Sequence, residues 1–196
     1  METGAILSPQ EKKYSLELAR RALAFFLENT TELVITEQDI TDVFGEKTSL
    51  LHSLGCFVSL HLEHNLRGCI GTIRSDEALF LNIARNAVSA GFKDPRFNPI
   101  SKTEFENLQL EISVMGPLEL CRDLTKIVVG KHGLLVKKAY YQGLLLPQVP
   151  VEWRWNRETF LQHTCLKAGL ASDAIHDPMV EFYTFEAMVF SESFAE

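Results

Sequence analysis

The densest chemistry in the chain lies in six residues, Leu66-Arg67-Gly68-Cys69-Ile70-Gly71. A cysteine becomes a nucleophile or a metal-seeking anion when a nearby cation favours its thiolate, and Arg67 stands two residues from Cys69. Two glycines inside an otherwise strand-like run pack nothing, so the backbone there bulges or lets another chain or a ligand approach. Arg67 and Arg96 each present a planar guanidinium fork that suits a carboxylate or phosphate. The turn Gly130-Lys131-His132-Gly133 adds exposed backbone N–H groups and a lysine suited to the same anion. His132 titrates near neutrality and can move protons. Glu111 points away from the apolar side of its strand, as a base or an arginine partner would. The expectation is one cleft with Cys69, His132 and Glu111 as catalytic groups. Arg67, Gly68, Gly71, Arg96 and Lys131 would bind the substrate, a small anionic ligand.

Plainer roles stand beside these. Cys69 could fill a small hole where chains meet, and Arg96 could pair with a carboxylate that ties down the loop Lys93-Asp94-Pro95-Arg96-Phe97-Asn98-Pro99. His132 could simply bond backbone in a tight turn, and Glu111 could lie on a solvated strand face. Gly130 belongs to no Walker loop, because the residue five before it is Thr125. His61-Leu62-Glu63-His64 straddles a turn and lacks the helical H-E-x-x-H pattern, so no metal site is expected. Trp153 and Trp155 read as packing residues rather than a platform for bases.

These residues need elements to hold them. Ser8, Pro9 and Glu11 announce a helix with a capping box, and Tyr14, Leu18, Ala22 and Phe26 give it one apolar face to about Glu28. Thr36 caps a short helix through Val43, ended by Gly45. Cys56, Val58, Leu60 and Leu62 alternate with Phe57, Ser59 and His61 as a strand requires. With Glu63-His64-Asn65 as a three-residue loop, Ser59 lies opposite Cys69 and His61 opposite Arg67, on an accessible face away from the main core. Ser75 or Asp76 caps a helix with Leu79, Ile83, Ala84, Ala87 and Val88 buried, closed by Gly91. Ser101 with Glu104 opens a helical turn, and Leu108–Met115 reads as a strand stopped by Gly116-Pro117. Gly143 marks a turn, Asn156 caps a helix closed by Gly169, and Val180–Phe190 reads as one final strand. Hairpins and isolated helices without β-α-β alternation predict an α+β fold, a largely antiparallel sheet flanked by helices.

The 196 residues suit one domain, or a main domain with a smaller lobe. A net charge of −7 and the lack of a basic stripe argue against nucleic acid. No apolar run approaches the roughly 20 residues that span a bilayer, so no membrane is expected. Cys56, Cys69, Cys121 and Cys165 form no C-x-x-C pair, and with no signal-peptide pattern they read as reduced thiols of a cytoplasmic protein.

With the Leu66–Gly71 stretch stand Asp94-x-Arg96-Phe97 followed by Pro99, Glu111-Ile112-Ser113-Val114, Val129-Gly130-x-His132-Gly133, Leu146-Pro147-Gln148-Val149 and Lys167-Ala168-Gly169. In this order they resemble the AMMECR domain family, whose bacterial and archaeal members are called AmmeMemoRadiSam system protein A. The resemblance implies a single α+β domain over residues 8–192 with a larger and a smaller lobe. It also implies association with a Memo-like protein and a radical S-adenosylmethionine protein, and it supplies no settled reaction or cofactor. Ala171-Ser172-Asp173-Ala174-Ile175-His176 departs from the family, which often has a tryptophan in a Pro-rich segment there. Two functions follow: a small-molecule enzyme or substrate-handling domain, or a non-catalytic module that docks those partners.

Overall fold

The computed structural model describes residues 7–73 and 76–192. The chain divides into two compact units, Met1–Met115 with Met188–Glu196, and Gly116–Ala187. The architecture is α+β, as expected.

In the first unit, local chemistry fixes the helix starts. Helix α1 (Pro9–Asn29) opens with Ser8 Oγ accepting from the Glu11 N–H, while the Glu11 carboxylate accepts from the Ser8 N–H. The same reciprocal box, Thr36 with Asp39, opens α2 (Glu37–Phe44). Glu11 also accepts from Thr48 Oγ1 at 2.5 Å and from the Ser49 N–H, so one buried carboxylate ties the helix to a later loop. Burial opposes its ionisation, but the bonds from Thr48, Ser8 and Ser49 outweigh that and hold Glu11 below its ordinary range.

Helix α3 (Leu79–Phe92) starts differently from expectation. Ser75 lies outside the described residues, and Asp76 does not cap, because the N-cap position is Ala78 with no side-chain bond. Backbone pairing sets the start instead: Ser53 bridges Ala78, and the Leu79 N–H donates to His52 O. Asn82 Nδ2 adds bonds to Leu54 O and Glu77 O. The helix also runs one residue past Gly91.

The first sheet has the order β2-β1-β3-β8, from β1 (Cys56–Leu62), β2 (Asn65–Thr72), β3 (Gln109–Met115) and β8 (Ala187–Ser191). Its inner face is Val58, Leu60, Leu110 and Ile112, all without solvent contact, in one core with Leu18 and Leu23 of α1 and Leu79, Phe80 and Ile83 of α3. Each such side chain contributes roughly 1.5–3 kcal/mol when buried. This core makes β1 and β2 a rigid base for Cys69.

The hairpin register corrects the expected one. Glu63 and His64 both have positive φ, 49° and 66°, and form a two-residue turn with Leu62 opposite Asn65. His61 then faces Leu66, not Arg67. The register shifts between Leu60 and His61, so that Leu60 faces Gly68 and Ser59 faces Cys69 as expected. Arg67 is the extra residue, a bulge that absorbs the one-residue difference between the turn and the buried face.

The second unit holds a sheet of order β4-β7-β5-β6, from β4 (Glu119–Leu120), β5 (Gly133–Lys138), β6 (Tyr141–Leu145) and β7 (Glu181–Phe185). The helix Arg157–Lys167, capped by Asn156, buries Phe160, Leu161 and Cys165 with Leu134, Val136 and Phe182. Gly143 is not in a turn. It sits within β6 opposite Val136, where a side chain would meet the Ala168 amide nitrogen at 2.4 Å. The expected final strand is two strands broken at Glu186, because β7 pairs in the second sheet and β8 in the first. There the Gly116 N–H donates to Glu186 O at 2.8 Å.

Candidate functional site

Strand β2 is the edge of its sheet, so alternate residues point unpaired backbone groups outward. Cys69 is one of them. Its N–H donates to Asp94 Oδ2 at 2.9 Å, and its carbonyl accepts from Arg96 Nη2 at 3.2 Å. The two side chains in turn hold each other, Arg96 Nη2 to Asp94 Oδ2 at 2.7 Å and Arg96 Nε to Asp94 Oδ1 at 3.0 Å. Asp94 Oδ1 also accepts the Arg96 N–H, a local Asx-type turn that Asp-Pro-Arg readily makes. Bonds from Arg96 come first among the causes that keep the Asp94 carboxyl well below the usual carboxylate range. Arg96 thus ties the proline loop to the strand, the plainer of its two expected roles.

The bulge breaks the alternation that put Arg67 on the face of Cys69. Arg67 Nε donates to Glu104 Oε1 at 2.7 Å and Nη2 donates to Asn98 O at 2.9 Å, which anchors α4 (Lys102–Asn107) to the hairpin. Glu104 is also the carboxylate of the Ser101 capping box, and Arg67 is the first cause of its low pKa, about 2. Arg67 Nη1 is buried and has no hydrogen-bond partner. The ring of Phe97 lies beside both guanidiniums, 5.7 Å from Arg67 Cζ and 5.4 Å from Arg96 Cζ.

Cys69 lies between Arg96 and Ser59, with its Sγ 3.3 Å from Ser59 Oγ. Glu111 faces Ser59 from the other neighbouring strand, so Cys69, Ser59 and Glu111 form one row across three strands. Burial pushes the Cys69 thiol up, against the Ser59 bond and the charge of Arg96. The thiolate support expected from Arg67 is not supplied, because that side chain is bonded to Glu104 and Asn98. Nor is the face as open as alternation implied: Ser59 and Ser113 are buried on it.

Gly68 and Gly71 do bring chains together, but the chains are protein. A side chain at Gly68 would lie 2.2 Å from Ala90 O of α3, and one at Gly71 would strike the Phe57 ring at 2.2 Å. Space over both is therefore filled, which corrects the expectation that they admit a ligand to the backbone. In the second unit, His132 Nδ1 accepts the Val128 N–H at 3.1 Å, closing the turn in which Gly130 takes φ 84°. Lys131 Nζ lies 3.2 Å from Glu186 Oε1. The structure thus gathers Arg67, Cys69, Arg96 and Glu111 in the first unit and places Lys131 and His132 in the second.

Asp94, Glu104, Phe97 and Ser59 are the contacts that the candidate residues needed. The signal for Asp94 was its Asp-x-Arg spacing, and the signal for Glu104 was its capping box. Among the described residues no cluster of His, Cys, Asp or Glu is placed to hold a metal ion, and no helix is long and apolar enough to cross a membrane.

The chain is α+β, and an Asp-x-Arg loop clamps the cysteine of its edge strand. The family model for AMMECR1 matches residues 16–190, and the chain belongs to that family. A protein of Methanothermobacter thermautotrophicus is 37% identical over 96% of this chain and 97% of its own length. One from Thermococcus kodakarensis is 39% identical over 93% and 90%. The crystal structure of an uncharacterized protein from Pyrococcus horikoshii is similar at a TM-score of 0.88 and 36% identity, covering 95% of this chain and 94% of that one.

Proposed function

We propose that this AMMECR1-family chain is a ligand-handling protein. In this reading Arg67 holds an oxygen of a small anionic or carbonyl-bearing ligand, and Cys69 meets the ligand as a neutral thiol. The observation that carries the reading is Arg67 Nη1, a buried charged donor without an acceptor. Leaving such a group unsatisfied costs about 1–3 kcal/mol, and in this reading a ligand oxygen supplies the missing acceptor. Arg96 is spent on Asp94 and serves as a brace. Glu111, in the row with Ser59 and Cys69, is the adjacent base, and His132 and Lys131 are not required. In this reading the protein works in the cytoplasm, and the ligand passes to or from Memo-like and radical S-adenosylmethionine proteins.

A second reading, a module that docks those proteins without handling a ligand, is favoured by the neutralisation of both arginines, Arg67 by Glu104 and Arg96 by Asp94. Ligand binding separates the two. Purified protein is screened by thermal shift against small carboxylates, phosphates and amides, and its retained metabolites are read by mass spectrometry. The first reading expects a saturable ligand whose affinity drops about tenfold in Arg67→Lys, which keeps the charge but loses the fork. Unchanged affinity in Arg67→Lys, or no retained or stabilising ligand, overturns it.

A further inference from the structure

The hairpin end of the first sheet holds a cavity of about 410 Å³ that Cys69 does not line. Three elements build it: the turn residues Glu63 and His64, then Thr103, Glu104 and Asn107 of α4, and Gln109 at the start of β3. Its size is that of a small-molecule site. Two of its walls are fixed by hydrogen bonds. Asn65 Nδ2 donates to Glu63 O at 3.1 Å within the turn. The Glu104 carboxylate accepts from Arg67 Nε at 2.7 Å, and from the Ser101 N–H and Oγ at 2.8 and 2.9 Å. The cavity is therefore preformed.

Hydrogen-bond acceptors dominate the lining. Gln109 Oε1 is buried and has no hydrogen-bond partner. Gln109 stands opposite His61 and alternates with buried Leu110, so its side chain points out of the core. Asn107 Nδ2 donates to Thr103 O at 3.0 Å, which leaves Asn107 Oδ1 to accept. Glu104, its pKa held at about 2, is ionised at neutral pH, and its three bonds leave room for one more of the about four that a carboxylate accepts. None of the lining residues is Lys or Arg, and Arg67 already balances Glu104, so the charge left over is that of Glu63. An anion or a carbonyl oxygen would meet acceptors here. A primary ammonium brings three N–H donors, no acceptor and a positive charge. We propose that this cavity binds a small molecule by its primary ammonium group, which donates to Gln109 Oε1 and faces Glu63. Its chemistry is the opposite of that of the ligand oxygen at Arg67, so the two proposals stand or fall separately.

The test is isothermal titration calorimetry of the whole chain at neutral pH. It compares putrescine, ethanolamine and glucosamine with butanediol, ethylene glycol and glucose, in which hydroxyls replace the amines. At least one amine is expected to bind with a Kd in the millimolar range or tighter, about tenfold or more below that of its hydroxyl counterpart, and to weaken as salt rises. Gln109→Met, which keeps the side chain's length and removes the acceptor, should weaken that amine about tenfold. Its midpoint of unfolding in urea should stay level or rise, because an unpartnered buried acceptor is gone, so lost binding is not lost folding. Glu63→Gln, at an exposed turn position, should weaken the amine and reduce its salt dependence. Hydroxyl compounds that bind as well as their amines, or amine binding undiminished in Gln109→Met, overturn the proposal. Absence of heat from every amine also overturns it, and leaves ordered water as the partner of Gln109 Oε1.

Discussion

At Cys69 both outward backbone groups are held by side chains 25 and 27 residues away in sequence, Asp94 on the N–H and Arg96 on the carbonyl. That arrangement assigns the Asp-x-Arg motif to bracing an exposed strand edge. Asp94 is the central member, because its removal leaves the Cys69 N–H and the Arg96 fork without their acceptor. Asp94→Asn should destabilise the protein by about 2 kcal/mol in urea unfolding, as expected for charged hydrogen bonds. Gly68→Ala should cost more, because the new methyl would collide with the Ala90 carbonyl of a packed helix. A change under about 0.5 kcal/mol in either variant would contradict this assignment.

At the scale of elements, what was legible in the sequence was what is local. Ser8 with Glu11 and Ser101 with Glu104 each carry a helix start within four residues, and both boxes form, as does the Thr36 cap, which Asp39 completes in the structure. What depends on distant pairing was not legible. The Arg67 bulge reconciles a two-residue turn with a buried face, and either alone gives a different register. The split at Glu186 reflects a choice between two sheets that alternation along one strand does not encode. Clamping by Asp94 crosses from a loop to a strand, and only its Asx turn is written locally. The hairpin makes a prediction of its own. Glu63 and His64 occupy positive φ, where Asn-Gly is favoured. Glu63→Asn with His64→Gly should therefore raise stability by about 0.5–1 kcal/mol in denaturant unfolding, with Cys69 still opposite Ser59. A loss of stability would mean that the turn is not the two-residue form.

Across the whole molecule, several carboxylates hold the fold by being ionised. Asp94 and Glu11 lie below their ordinary range and Glu104 at about 2. Unfolded Asp and Glu titrate near about 4. A lowered folded pKa contributes stability that is present above that value and lost as pH falls through the folded pKa. Melting temperature should therefore be level above about pH 5 and fall steadily toward about pH 2. Asp94→Asn should flatten part of that acid limb while lowering the plateau. An acid limb identical to the wild type in Asp94→Asn would show that its carboxylate is not held down by Arg96.

The central claim is that Leu66–Gly71 is a braced edge strand whose cysteine stays a thiol. Alkylation of the native protein across pH, read at each cysteine by mass spectrometry, tests it most directly. Cys56, pushed up to about 12 by burial, serves as the internal standard for an inert thiol. The account predicts that Cys69 is unmodified at neutral pH, reacts only above the ordinary thiol range, and becomes alkylated readily once the protein is unfolded. Rapid modification of native Cys69 near pH 7, with a midpoint below that of a free thiol at about 8.5, would contradict it and return the residue to the role of nucleophile.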